Sequence, residues 1–386
     1  MSRSTRSVTV FFLFAFVLAG CTAGSPPVSV NVQMTQAVQT ALASMLQTQA
    51  AAVPASSATP APTPTVQQAL PELPPPYESS YLNPLDTPHT YIQDSCEYLK
   101  DKWTSGHAAP GTIVMVIMFH GIEKGEASVT DPKNVSGTDF KKIMNGLHDM
   151  GFQAINAGQL ADFLDHNTQI PPRSVLLLQD DRHAAPNFND WFRPYWEKWQ
   201  WPVVNAWISA LGGSDPVLAE NVALEQEGWV DHEAHGVVHN IPMSDSSDDE
   251  YLTSELEGSI TNIQQYFHKT PIAIIWPGGG FGTRPVQFAR KFGYRLGFTV
   301  NPRGPIMFNW VPLADQADPA RPLSLPEGPV NDPRMVLPRY WPQQVLGSLD
   351  AIRVTGDQAA AYAEQNRATE LQYYSIACEA TYGPIQ

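Results

Sequence analysis

From residue 112 onward, short apolar runs alternate with stretches whose apolar positions recur every three to four residues. TIVMVIMF (112–119) and SVLLLQ (174–179) are near-continuous apolar runs of strand length. Between them, TDFKKIMNGLHDMG (138–151) places Phe140, Ile143, Met144 and Leu147 on one helical face, with Thr138 as the expected cap and Gly151 as the stop. FQAIN (152–156) reads as strand and QLADFLD (159–165) as a short helix. WFRPYWEKW (191–199) is helical, and PVVNAWI (202–208) and GWVDHEAHG (228–236) are strands. A long helix over 248–269 precedes PIAIIWP (271–277) as strand. RPVQFARKFG (284–293) is helix, and YRLGFTV (294–300) and RMVLPRY (334–340) are the last strands. The Pro-rich stretch 301–333 reads as a loop. Fully apolar strands alternating with amphipathic helices predict a parallel sheet buried on both faces. The expected fold is α/β, a distorted (β/α) barrel of about seven strands. A doubly wound open sheet is the alternative, but no G-x-G-x-x-G follows a strand.

The pattern differs before residue 91. Arg3 and Arg6 precede the short apolar run VTVFFLFAFVLAG, which ends in Leu18-Ala19-Gly20-Cys21. Small residues before a cysteine resemble a bacterial lipobox, with Cys21 as the lipidated residue. The run is shorter than the roughly 20 residues of a membrane span, which weighs against an ordinary transmembrane anchor. The expected place is therefore extracytoplasmic, held to a bacterial membrane by lipid. Residues 30–52 could form one exposed helix, and 54–78 are Pro/Ala/Thr-rich, the composition of an extended spacer. The expected organisation is a signal peptide over 1–20, lipidated cysteine and spacer over 21–90, a barrel over 91–347, and a helical tail over 348–386.

Charge removes one class of partner. With 23 Lys and Arg against 38 Asp and Glu, the net charge is −15, and no basic run follows the first few residues. Nucleic acid is not expected, since phosphate contacts need clustered cations. Besides Cys21, only Cys96 and Cys378 remain, near the two ends of the folded part. They form either a disulfide clasp, suited to an oxidising compartment, or two unpaired buried thiols.

A (β/α) barrel carries its chemistry at the C-terminal ends of its strands. Those ends here are Phe119-His120-Gly121, Gln179-Asp180-Asp181-Arg182, His235-Gly236-Val237-Val238-His239, Trp276-Pro277-Gly278-Gly279 and Leu337-Pro338-Arg339. Adjacent like charges at Asp180 and Asp181 make sense if a cation sits between them. His235 and His239, at i and i+4, would share a face of one helical turn. Two imidazoles and a carboxylate are a common Zn(II) set that leaves a position for water and lowers its pKa. One aspartate would bind the ion, and the other would take the proton of the water. His183 and His232 are possible substitute ligands. Trp191, Trp196 and Trp199 read as packing of their helix, with a sugar-stacking platform as the alternative.

These motifs, in this order, resemble the polysaccharide deacetylases, carbohydrate esterase family 4, with the NodB-homology fold. Leu178-Gln179-Asp180-Asp181-Arg182 resembles the motif T-F-D-D-G. His235-Gly236-Val237-Val238-His239 resembles H-[S/T]-x-x-H, and Trp276-Pro277-Gly278-Gly279 resembles W-P-Y-G. Phe119-His120-Gly121-Ile122 is similar to the opening strand of the poly-N-acetylglucosamine deacetylase branch, and Leu337-Pro338-Arg339 also resembles that branch. The resemblance implies metal-dependent removal of acetyl groups from a polysaccharide, with a divalent metal, most often Zn(II), held by Asp181, His235 and His239. It implies Asp180 as general base and His120 as the acid for the leaving group, with a core histidine as the alternative for His120. Arg339 would pair with a carboxylate of the site, and the Gly278 N–H would donate to the oxyanion. Three positions depart from the family: Arg182, Gly236 and Gly278. Arg182 would block the cleft, bind an anionic substrate or swing out. These departures motivate a rival reading, a non-catalytic glycan-binding lipoprotein on a retained barrel. Hydrolysis of a glycosidic bond is a third reading, although adjacent carboxylates rarely straddle a sugar ring.

Overall fold

The computed structural model describes residues 69–386 except 125–128, 130 and 211–214. The segments expected as signal peptide, lipidated Cys21 and most of the expected spacer lie outside the described residues.

Seven parallel strands form the central sheet: β2 (Ile113–Phe119), β5 (Gln153–Ala154), β6 (Arg173–Gln179), β7 (Val203–Trp207), β8 (Val230–Ala234), β9 (Ala273–Ile275) and β10 (Leu296–Phe298), while the short β3 (Ile122–Glu123) and β4 (Val135–Ser136) pair outside it. Their order is β10-β9-β8-β7-β6-β2, and β5 pairs with the first half of β6 while β7 pairs with its end. The apolar runs are explained by burial on both faces. In β2, Val114 and Val116 pack in one apolar cluster with Leu176 and Leu178 of β6. The alternate residues Met115, Ile117 and Phe119 pack in another with Val175 and Leu177. A strand with water on neither side has no reason to alternate.

The segment after Met335 joins the two edges of the sheet. Leu337 bridges Phe298 of β10, and Tyr340 bridges Ile117 of β2. The Leu337 N–H donates to Gly297 and the Tyr340 N–H to Val116. The expected last strand is thus reduced to two bridge contacts three residues apart, which close the barrel and leave Arg339 between them.

Other elements differ from the sequence reading. Described residues before 91 already pack on the folded unit. Leu73, Tyr77 and Leu82 pack on its clusters, and β1 (Asp86–His89) pairs antiparallel with β11 (Val311–Ala314). That pairing also places a strand within the expected loop 301–333. Pro312 lies in β11, consistent with a strand outside the main sheet. The helix Gly137–Asp149 is capped by Ser136, whose hydroxyl accepts the Asp139 N–H at 3.0 Å, rather than by Thr138. The boundary at 347 falls inside one continuous helix, Pro342–Ala377. Helix Pro216–Gln226, capped by Asp215, occupies a stretch to which the pattern assigned no element. The Cys96 and Cys378 sulfurs are bonded at 2.08 Å, tying helix Ser95–Trp103 to the end of helix Pro342–Ala377.

Candidate active site

Strand register places the first two residues. Phe119 lies opposite Gln179 at the ends of β2 and β6, so His120 and Asp180 leave the sheet side by side. The Asp180 N–H donates to the Phe119 carbonyl at 2.7 Å. The Gln179 side chain spans the same gap, donating to the carbonyls of His120 and Asp180. His120 Nε2 then sits 3.4 Å from Asp180 Oδ2.

Asp180 is 1% exposed, and its other oxygen is taken by Arg339, with Nη1 to Oδ1 at 2.6 Å. Arg339 is itself buried and fixed by a bond from Nε to the Thr299 carbonyl at 2.6 Å. Burial alone would raise the Asp180 pKa, but the charges of Arg339, His120 and His235 outweigh it and hold the carboxyl below its ordinary value. His120 is shifted down as well, for the opposite reason. Burial pushes its imidazole below the usual 6.5, against the pull of Asp180.

A turn in the backbone directs the second carboxylate. Asp181 has φ +69°, a left-handed conformation that is uncommon outside glycine. In an extended chain, Asp180 and Asp181 would face opposite ways. The left-handed step instead lets Asp180 stay buried while Asp181 faces His235, whose Nε2 is 3.7 Å from Asp181 Oδ1.

The two histidines converge by a different route from the one expected. Residues 235–239 form a loop after β8, not a helical turn. Left-handed residues at Gly236 (φ +76°) and His239 (φ +57°) fold the loop back, bringing the two rings to 4.4 Å between centroids. His235 Nδ1 donates to the Ile275 carbonyl at 2.7 Å, which leaves Nε2 as the lone-pair atom facing Asp181. Burial lowers the His235 pKa to about 4, so the ring is neutral, as a metal ligand must be.

Ligand atoms of Asp181, His235 and His239 all lie within 4.8 Å of one another. One carboxylate, one neutral imidazole with its second nitrogen already bonded, and a second imidazole fit a divalent cation such as zinc. The Gly278 N–H reaches this cluster, donating to His239 Nε2 at 3.2 Å.

Arg182 is held away from these groups. Its guanidinium pairs with Asp215, donates to the Ala210 carbonyl at 3.0 Å and lies 4.7 Å over the Trp207 ring. His183 Nε2 sits at the Asp180 carbonyl, 3.0 Å away, and at the Gln179 amide rather than with the triad. His232 is a core residue, between Glu225 and Asn221 and stacked on Phe267. Trp191 and Trp199 pack on Phe140 and His148, as reading them as helix packing implies.

Trp341 was not singled out from sequence. Its indole stacks on His120 at 5.3 Å and 7° between planes. The signal was present: Trp341 follows Arg339 by two residues, the spacing that returns an extended chain to the same face.

No protein-family model matches the chain. It is similar to the Bacillus subtilis (strain 168) protein named "Putative polysaccharide deacetylase YxkH", 26% identical over 192 residues, 48% of this chain and 64% of that protein. Among solved structures, it is similar to the Streptococcus pyogenes deacetylase PplD in complex with acetate, at 19% identity and TM-score 0.47, covering 64% of this chain and 99% of that one. It is also similar to BC0361, a polysaccharide deacetylase from Bacillus cereus, at 18% identity and TM-score 0.45, covering 61% and 68% of the two chains.

Proposed function

We propose that this protein is a metal-dependent carbohydrate deacetylase that hydrolyses acetyl groups on a cell-surface or extracellular polysaccharide. The observation that carries the reading is one juxtaposition. An arginine-held carboxylate, Asp180, is followed directly by the first member of a three-ligand cluster, Asp181 with His235 and His239. The similarity over 192 residues to the protein named "Putative polysaccharide deacetylase YxkH" supports it.

Asp181, His235 and His239 would hold a divalent ion, which would supply Lewis acidity at the site when bound. Asp180 acts as general base. It stays ionised through the neutral range because Arg339 offsets its burial, and it accepts the proton of the attacking water. The water oxygen bonds to the acetyl carbon, the bond from that carbon to the sugar nitrogen or oxygen breaks, and acetate leaves. His120, 3.4 Å from Asp180, is placed to relay the proton to the departing group. Trp341 holds the face of His120. Cys21 anchors the chain to the outer side of a bacterial membrane through lipid, and the Pro/Ala/Thr-rich stretch that follows acts as spacer.

The test pairs metal analysis of the purified protein with acetate release from acetylated glycans and acetyl esters. One metal per chain, with acetate release that disappears in Asp180→Asn, is the expected result. Metal without release from any substrate would overturn the enzymatic reading and favour glycan binding. A protein that takes up no metal would overturn the triad.

A further inference from the structure

We infer that Glu255 and Tyr251 are positioning residues that hold His239 in place as a metal ligand. The inference rests on the metal reading of the site, and it addresses how a loop, rather than a helix, carries a ligand.

The segment 236–241 has little regular structure of its own. On one side it is pinned to the end of β7, where Ser209 and Ala210 N–H groups donate to the carbonyls of Gly236 and Val237 at 3.1 and 2.8 Å. On the other side lies helix Asp249–Phe267, whose Tyr251 and Glu255 are four residues apart and share a face. Glu255 is 2% exposed, and its carboxylate faces the loop instead of a cationic side chain. It accepts the Val237 N–H at 2.8 Å and the Val238 N–H at 3.2 Å. Tyr251 donates its hydroxyl to the Ile241 carbonyl. The helix therefore grips the loop just before and two residues after His239.

The same arrangement accounts for Gly236, where the sequence motif has Ser or Thr. A Cβ at Gly236 would lie 2.5 Å from Glu255 Oε2, and φ is +76°. The carboxylate occupies the space a side chain would need, and the two charge-assisted bonds to backbone N–H groups fix the loop from the helix. A buried carboxylate with no other partner among the described residues is an expensive group to keep. Its contacts are the amides that set the path of the chain into His239.

Two measurements on the full-length protein test the clamp. The first is amide hydrogen exchange without metal. Val237 and Val238 should be protected in the wild type and exchange at least about 10-fold faster in Glu255→Ala. The second is zinc affinity by competition with a chelating dye. Loss of an outer-shell support costs about 10–100-fold in metal affinity, the loss expected for Glu255→Ala. Glu255→Gln, which keeps one acceptor oxygen, should recover part of it. If Glu255→Ala does not fold, Tyr251→Phe decides, with a drop of a few-fold expected. Wild-type zinc affinity in the folded variants would overturn the clamp whatever their activity. Zinc binding by the wild type without acetate release would sink the deacetylase reading, and the clamp would still stand on the affinity losses. A wild type that binds no zinc would overturn both.

Discussion

Arg339 Nη1 meets Asp180 Oδ1 at 2.6 Å, across 159 residues of chain and with both side chains buried. Arg339 stands on the segment that closes the barrel, between its contacts with β10 and β2. One side chain thus ties barrel closure to the charge state of the base. Removing one partner of a buried ion pair costs about 3–5 kcal/mol, because the other charge is stranded. Arg339→Met should therefore lower the melting temperature of metal-free protein by several degrees and abolish acetate release. A variant with wild-type melting and turnover would show that the pair matters to neither.

Asp180 and Asp181 are adjacent, yet their removal should have different effects. Asp180→Asn should keep one metal per chain while turnover falls by at least about 100-fold, the scale of general-base catalysis. Asp181→Ala and His235→Ala should lose the metal itself. Full metal occupancy in both, measured by elemental analysis after dialysis, would refute the ligand set. Because Asp180→Asn leaves Arg339 without its carboxylate, it should be assayed well below its own melting temperature.

Much of this was readable from residue order. β2 and β6 announce themselves because burial on both faces makes a strand wholly apolar, and His120 and Asp180 hang from their ends. The His235 and His239 pair was found for the wrong geometric reason. A spacing of i, i+4 suits a helix, but the pair converges through left-handed residues at Gly236 and His239, and a histidine in that conformation leaves no mark in composition. The folded unit reaches into the Pro-rich stretch because Leu73, Tyr77 and Leu82 find apolar surface, while proline content reports only local stiffness. Glu255 was invisible because its partners are backbone amides, which sequence does not show.

The pH profile should reveal how His120 works. Burial holds its pKa below 6.5, so near pH 7 the ring is neutral while Asp180, also shifted down, is ionised. His120 would then start neutral, receive the proton that Asp180 takes from water, and pass it on. On this account kcat/KM rises as pH climbs through the His120 pKa, below 6.5, and shows no falling limb from His120 across the neutral range. A falling limb between pH 6 and 7 that vanishes in His120→Asn would mean that the imidazolium is the required starting form.

The disulfide joins residues 282 apart, so its effect should appear in stability and not at the site. Helix Ser95–Trp103 and the C-terminal helix already share other contacts. Lys102 and Trp103 bond to Glu370 at 2.8 and 2.7 Å, and the Ser105 N–H donates to the Gln386 carbonyl at 2.8 Å. Those contacts survive reduction, so the native fold should persist at 25 °C. What is lost is the restriction on the unfolded chain, on the order of 2–5 kcal/mol for a native disulfide. The double variant Cys96→Ser, Cys378→Ser should melt several degrees lower than the oxidised wild type and match the reduced wild type. Its zinc affinity should be unchanged, because the ligands hang from β6, β8 and the loop after β8 rather than from this clasp. Equal melting temperatures for oxidised and reduced wild type would show that the clasp adds nothing. A loss of zinc affinity in the double variant would mean that the ends of the chain are coupled to the site.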